Sequence, residues 1–171
     1  MFVRRHAVAA LVVVALLTSG CGSPASPPTL APTTAAPSPT DSAAAAYAAA
    51  EATYRAYVDA LNAVDLSDPT TFEPVYALTK GEVQEADRRN LTRYNTENVA
   101  MSGASVITSV DYDDTDGSLH ACLDVSSVDL TAADGTSLVD PQRRAIQSLV
   151  ISFADQGSRI EHIRADEIDR C

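Results

Sequence analysis

The chain has 171 residues, with 23 acidic against 12 basic side chains, a formal charge of −11 and no tryptophan. So acidic a surface repels phosphate backbones and anionic lipid headgroups, which argues against a nucleic-acid partner. Apolar residues make up 46% of the chain, but 29 of its residues are alanines, so a modest core is expected, one that a covalent staple would help.

Arg4 and Arg5 precede an uncharged apolar run, Ala7 to Leu17. That run is shorter than the roughly 20 residues a membrane span requires, and it has the form of a signal-peptide hydrophobic region. Small residues then lead into a cysteine, Thr18-Ser19-Gly20-Cys21, with Leu17 before them. This resembles the lipobox of bacterial lipoproteins, in which the cysteine is lipidated and the signal is cut just before it. The resemblance implies a signal peptide over residues 1–20, acylation of Cys21 and a cell-membrane location on the extracytoplasmic face. Two acyl chains hold a protein on a bilayer stably, at about 0.8 kcal/mol per buried CH₂. Two of the 12 basic residues and none of the acidic ones lie in residues 1–20, so the remaining chain carries −13.

Residues 21–40 hold the lipidated cysteine and a tether rich in Pro, Thr, Ser and Ala, including Pro24, Pro27, Pro28, Pro32, Pro37 and Pro39. No core can be built from them, and the prolines favour extended, semi-rigid chain. One domain is expected over residues 41–171. Asp41 or Ser42 can cap a first, long helix reaching about Asp65, with Tyr47, Tyr54, Val58, Leu61 and Val64 at helical spacing and Tyr57 to one side of that stripe. A short helix is expected from Phe72 to Thr79, with Gly81 near its exit. A third runs from about Glu82 to Asn95 and presents Val83, Ala86, Asn90, Leu91 and Tyr94 on one face.

The period changes to two from Val99 onward. Val106, Thr108, Val110 and Tyr112 mark a strand, and Asp113 to Gly117 a turn. A second strand is expected from Leu119 to about Leu130, a turn at Ala132 to Thr136, a third strand from Arg144 to Ala154, and a fourth from Arg159 to Glu167. Helices followed by an antiparallel meander give an α+β domain of two layers. Cys122 and Cys171 remain once Cys21 is acylated, and in an oxidising compartment they read as one disulfide. A loop of that length contributes about 4 kcal/mol in the chain-entropy model.

This order of elements resembles the NTF2-like (cystatin-like) superfamily, and the whole chain resembles small actinobacterial lipoproteins carrying that domain. The features that carry the resemblance are the lipobox, the Pro/Thr tether, the Ala121-Cys122-Leu123-Asp124-Val125 run, the Ala133-Asp134-Gly135 turn and Cys171. It implies one long and two shorter helices packed on a curved four-stranded antiparallel sheet, a cone with a hollow or groove between the layers, and the capacity to dimerise through the sheet.

His120, Asp124 and His162 are the one grouping suited to acid–base work, since a histidine titrates near neutrality and a carboxylate can orient it. Their plainer reading, as surface or sheet-edge side chains, is preferred, and no catalytic residue is assigned. The helical tyrosines Tyr47, Tyr54, Tyr57, Tyr76 and Tyr94 either pack the core or line an amphipathic pocket. For ligand binding the candidates are Tyr54, Tyr57, Tyr94 and Tyr112. The acidic turn from Asp111 to Asp116 has Tyr112 and Leu123 where a calcium loop needs carboxylates, so a plain hairpin turn is expected, with no metal site and no cofactor. The expected function is that of a membrane-anchored, non-enzymatic binding module for an envelope partner or a small apolar ligand. Its alternatives are an isomerase- or dehydratase-type enzyme on a small hydrophobic substrate and a structural assembly factor.

Overall fold

The computed structural model describes residues 39–171. Residues 1–38, on which the expected signal peptide, the acylation of Cys21 and the expected tether fall, lie outside the described residues. Among the described residues, no helix is long and apolar enough to cross a membrane.

Helix α1 spans Pro39–Asn62. Its alanine-rich first half needs little tertiary support, because alanine loses no side-chain entropy in a helix. Ala50, Tyr54, Tyr57 and Val58 are buried along one face, so Tyr57, expected to one side, belongs to the inward stripe. The helix ends three residues earlier than expected, and Val64 and Leu66 are buried from the loop that follows. In that loop the Ser67 N–H and hydroxyl both donate to Asp65 Oδ1, at 2.9 and 2.7 Å. Asp68 then caps a 3-10 turn, Pro69–Phe72, by accepting from the Thr70 N–H at 3.0 Å. Helix α2 is only Glu73–Ala77. Gly81 does not close α2 but opens helix α3, Gly81–Thr96, at φ +56°.

Six strands follow: β1 (Ala100–Ser102), β2 (Val106–Asp113), β3 (Ser118–Asp124), β4 (Asp129–Thr131), β5 (Ile146–Ala154) and β6 (Arg159–Ala165). The main sheet is antiparallel in the order β2-β3-β5-β6, and β1 pairs with β4 in a separate two-stranded ribbon. The molecule is thus α+β, with three helices on a four-stranded antiparallel sheet. This sheet is not strongly curled. The continuous strand expected from Leu119 to Leu130 is broken after Asp124. Asp124 Oδ1 accepts the Ser126 N–H at 2.8 Å, and the Arg143 guanidinium donates to the Val125 and Val128 carbonyls, both at 2.8 Å. Backbone hydrogen bonding is thereby diverted from the main ladder into a turn, and the chain leaves it to pair with β1. The third strand begins at Ile146 rather than Arg144, and the fourth ends at Ala165 rather than Glu167.

Register rows assign the two faces. Tyr112, Leu119, Ile151 and Ile163 are successive partners across the sheet, and Leu119 and Ile151 are fully buried under the helices with Tyr54, Val75 and Ile160. Each such apolar side chain is worth about 1.5–3 kcal/mol on burial. Asp111, His120, Val150 and Arg164 form the adjacent row, and strand alternation puts it on the opposite face. The C-terminal segment turns back beside that face: the Arg170 N–H donates to Ser148 Oγ at 3.1 Å, and Cys171 is disulfide-bonded to Cys122, with Cα atoms 5.7 Å apart. The connection between α2 and α3 covers the free edge of β6, the Lys80 N–H donating to the Ile160 carbonyl and the Ile160 N–H to the Leu78 carbonyl, each at 2.9 Å.

Candidate functional site

Where α1, α3 and β6 meet, the covered β6 edge leaves a groove of about 450 Å³, lined by Tyr57, Glu82, Val83, Ala86, Asp87, Arg89 and Ile163. Helical spacing brings these residues together. Val83, Asp87 and Leu91 succeed one another at four-residue intervals on the inward face of α3, so Asp87 stands between two apolar residues. Asn90, expected on that face, is exposed. From α1, the Tyr57 hydroxyl donates to Asp87 Oδ1 at 3.2 Å, with Oδ2 at 3.4 Å. Ile163 closes the floor from β6.

The electrostatics follow from this burial. Desolvation pushes the Asp87 carboxyl up to about 6, against the lowering effect of the neighbouring Tyr57 and Thr79 hydroxyls. Burial also raises the Tyr57 phenol, and the Asp87 charge raises it further, so the tyrosine stays a neutral donor at physiological pH. Tyr54, three residues before it and buried, is pushed up to about 12 by desolvation. Its hydroxyl has no hydrogen-bond partner among the described residues. A neutral donor beside a carboxyl poised near 6 can bind a polar group or hand over a proton.

Asp87 is not among the residues expected from sequence, because a lone acid on a helix usually lies on its solvated face. A usable signal lay in the pattern all the same: a carboxylate four residues from both Val83 and Leu91, in the middle of an apolar stripe.

His120, Asp124 and His162 lie in three separate hydrogen-bond networks. His120 Nδ1 is 3.1 Å from Asp166 Oδ2, and its Nε2 is 3.8 Å from Asp113 Oδ2. The Asp166 carboxylate is held below the usual range, chiefly by the Ile168 N–H and also by His120. Asp124 is engaged by the Ser126 turn, which lowers its carboxyl. His162 Nδ1 is 2.7 Å from Glu82 Oε1, a surface pair at the rim of the groove. Of the tyrosine candidates, Tyr57 lines the groove. Tyr54 is in the core, Tyr94 lies under the Arg93 guanidinium at 4.7 Å, and Tyr112 packs on Tyr47 with ring centroids 5.4 Å apart.

The acidic hairpin uses its carboxylates on its own backbone, Asp113 Oδ1 accepting the Thr115 N–H and Asp116 Oδ1 the Ser118 N–H, both at 2.9 Å. Among the described residues no group of three or more His, Cys, Asp or Glu side chains converges as metal ligands would. A larger hollow, about 530 Å³, lies between Val64 and Met101. Its one carboxylate, Asp65, is already engaged by Ser67 and held low by it, so it offers less chemistry than the Asp87 groove.

No family model matches the chain. No curated protein matches it either. Among solved structures it is similar to a de novo designed beta-sheet protein determined by solution NMR, at 16% identity and a TM-score of 0.28, covering 74% of this chain and 88% of that one.

Proposed function

We propose that this chain is a lipid-anchored, extracytoplasmic binding module of NTF2-like type, and that its ligand seat is the groove over Tyr57 and Asp87. The address rests on the sequence, from the apolar run ending in Thr18-Ser19-Gly20-Cys21 to the proline-rich tether after it. The NTF2-like assignment is supported by one long and two shorter helices preceding an antiparallel meander that packs against them. With the sheet only gently bent, the seat is an open groove rather than a deep cone.

One observation carries the choice of seat: the half-buried Asp87 carboxyl, hydrogen-bonded to Tyr57, faces a groove walled by Val83, Ala86 and Ile163. Apolar walls with a few convergent polar groups are the ordinary make-up of a small-ligand site. The same pair supports a second reading, an enzyme in which Asp87 moves a proton on a small hydrophobic substrate, because a carboxyl near 6 suits that task.

Labelling of the full chain with palmitate in an export-competent bacterial host tests the anchor. Label on the wild type and none on Cys21→Ser is expected, and an unlabelled wild type would overturn it. Native mass spectrometry of the exported protein tests the seat, since a small-molecule mass lost on denaturation and absent from Asp87→Ala is expected. Retention of that mass by Asp87→Ala would move the seat elsewhere, and release of a chemically altered molecule would favour the enzyme.

A further inference from the structure

We infer that the groove selects a ligand carrying a positive charge on an apolar body, an alkyl- or arylammonium, with Asp87 as its counter-ion and Val83, Ala86 and Ile163 as its wall. This rests on the reading of the groove as a ligand seat and adds the chemical class of what sits there.

Asp87 is half-buried, yet no Lys, Arg or His among the described residues pairs with it. Of the two arginines nearest in sequence, Arg88 lies over the Tyr76 ring at 4.0 Å, and Arg89, which also lines the groove, pairs with Glu85 at 3.7 Å. Each face of the groove can be accounted for. From α1 come Tyr57 and, deeper, Tyr54, both phenols held neutral. The loop before α3 supplies the uncharged Thr79, α3 supplies Glu82 and Arg89 beside Asp87, and β6 supplies Ile163, with His162 on Glu82 at the rim.

A buried charge without a partner is costly, and the raised Asp87 carboxyl reflects that cost. A ligand cation supplies the missing partner. By linkage, a cation that binds the ionised form lowers the carboxyl's affinity for its proton. The Tyr57 and Thr79 hydroxyls cannot do this alone, since two neutral donors leave acceptor sites of the carboxylate open and bring no charge. The apolar wall favours an organic cation over a hydrated metal ion, which needs several oxygen ligands. The charge of −13 on residues 21–171 draws cations toward the molecule.

Calorimetry on the exported, lipidated chain in phosphatidylcholine nanodiscs tests the class, with benzylammonium and its neutral counterpart benzyl alcohol as probes at pH 5 and pH 7.5. Benzylammonium stays protonated over this range, so only the ionised fraction of Asp87 changes, and its affinity is expected to rise about tenfold from pH 5 to pH 7.5. His162 stands at the rim against Glu82, so the rise must persist in His162→Gln. Asp87→Asn is expected to abolish both the binding and its pH dependence while remaining folded by circular dichroism. Benzylammonium binding unchanged in Asp87→Asn, or a rise lost in His162→Gln, would overturn the assignment to Asp87. Benzyl alcohol binding as well as or better than benzylammonium would overturn the charge requirement and leave the groove as the seat. Silence from both probes would overturn this inference and count against the seat itself.

Discussion

Asp87 decides most at the scale of single residues. An acid with a raised folded-state value holds its proton more tightly when folded than when unfolded. Stability therefore falls as pH rises from about 4, the unfolded value, through about 6. The full shift would correspond to nearly 3 kcal/mol, but the carboxyl is only half-buried and water screens it, so about 1–2 kcal/mol is expected. Asp87→Asn should remove that slope. Urea unfolding at pH 5 and 7.5 should show the variant gaining about 1 kcal/mol over the wild type at the higher pH, and a parallel pH dependence in both would contradict it. The same residue marks a limit of sequence reading. Helical spacing puts Val83, Ala86 and Leu91 inward, and in the structure the charged Asp87 shares their stripe while Asn90 is exposed. Asp124 teaches the converse: strand alternation puts it on the His120 face, but the backbone N–H two residues on engages its carboxylate.

Among the elements, the break between β3 and β4 was the least legible. Apolar residues continue through Val125, Val128 and Leu130, and the local sign of a break is their change of parity across Ser126-Ser127. The interruption depends on the Arg143 guanidinium, which donates to carbonyls 15 and 18 residues earlier, and sequence periodicity carries no such contact. Helices and hairpins were more legible because their causes are local: alanine content in α1, the Asp68-Pro69 start of the 3-10 turn, and the Asp-Gly turn before β3. The break also brings the β3–β4 turn against the link between β1 and β2. Gly103 sits there at φ +77°, where an added Cβ would lie 1.8 Å from the Ser127 carbonyl oxygen. Gly103→Ala should therefore cost at least about 2 kcal/mol, from strain at positive φ and the displaced backbone. Thermal unfolding within a degree of wild type would show that the loop yields freely.

Across the whole molecule, two layers and one staple account for the fold. Cys122 sits in the second strand of the main sheet, and its bond to Cys171 closes a separation of 49 residues, worth about 4 kcal/mol in the chain-entropy model. Paired replacement of Cys122 and Cys171 by alanine should lower stability by about 2–4 kcal/mol while leaving ligand affinity at the groove unchanged, because the staple lies on the opposite face of the sheet. Loss of affinity in a folded double variant would tie the C-terminal segment to the site. The alternation of helical and strand periods made the α+β layering legible in the sequence. The groove was not, because it arises from three elements far apart in the chain meeting at one sheet edge.

Chemical-shift mapping of the isotope-labelled chain with benzylammonium locates the seat. The amide and methyl signals that move are expected to belong to Tyr57, Val83, Ala86, Asp87 and Ile163. Shifts confined to the hollow between Val64 and Met101, or to the outer face around His120 and Asp166, would contradict it.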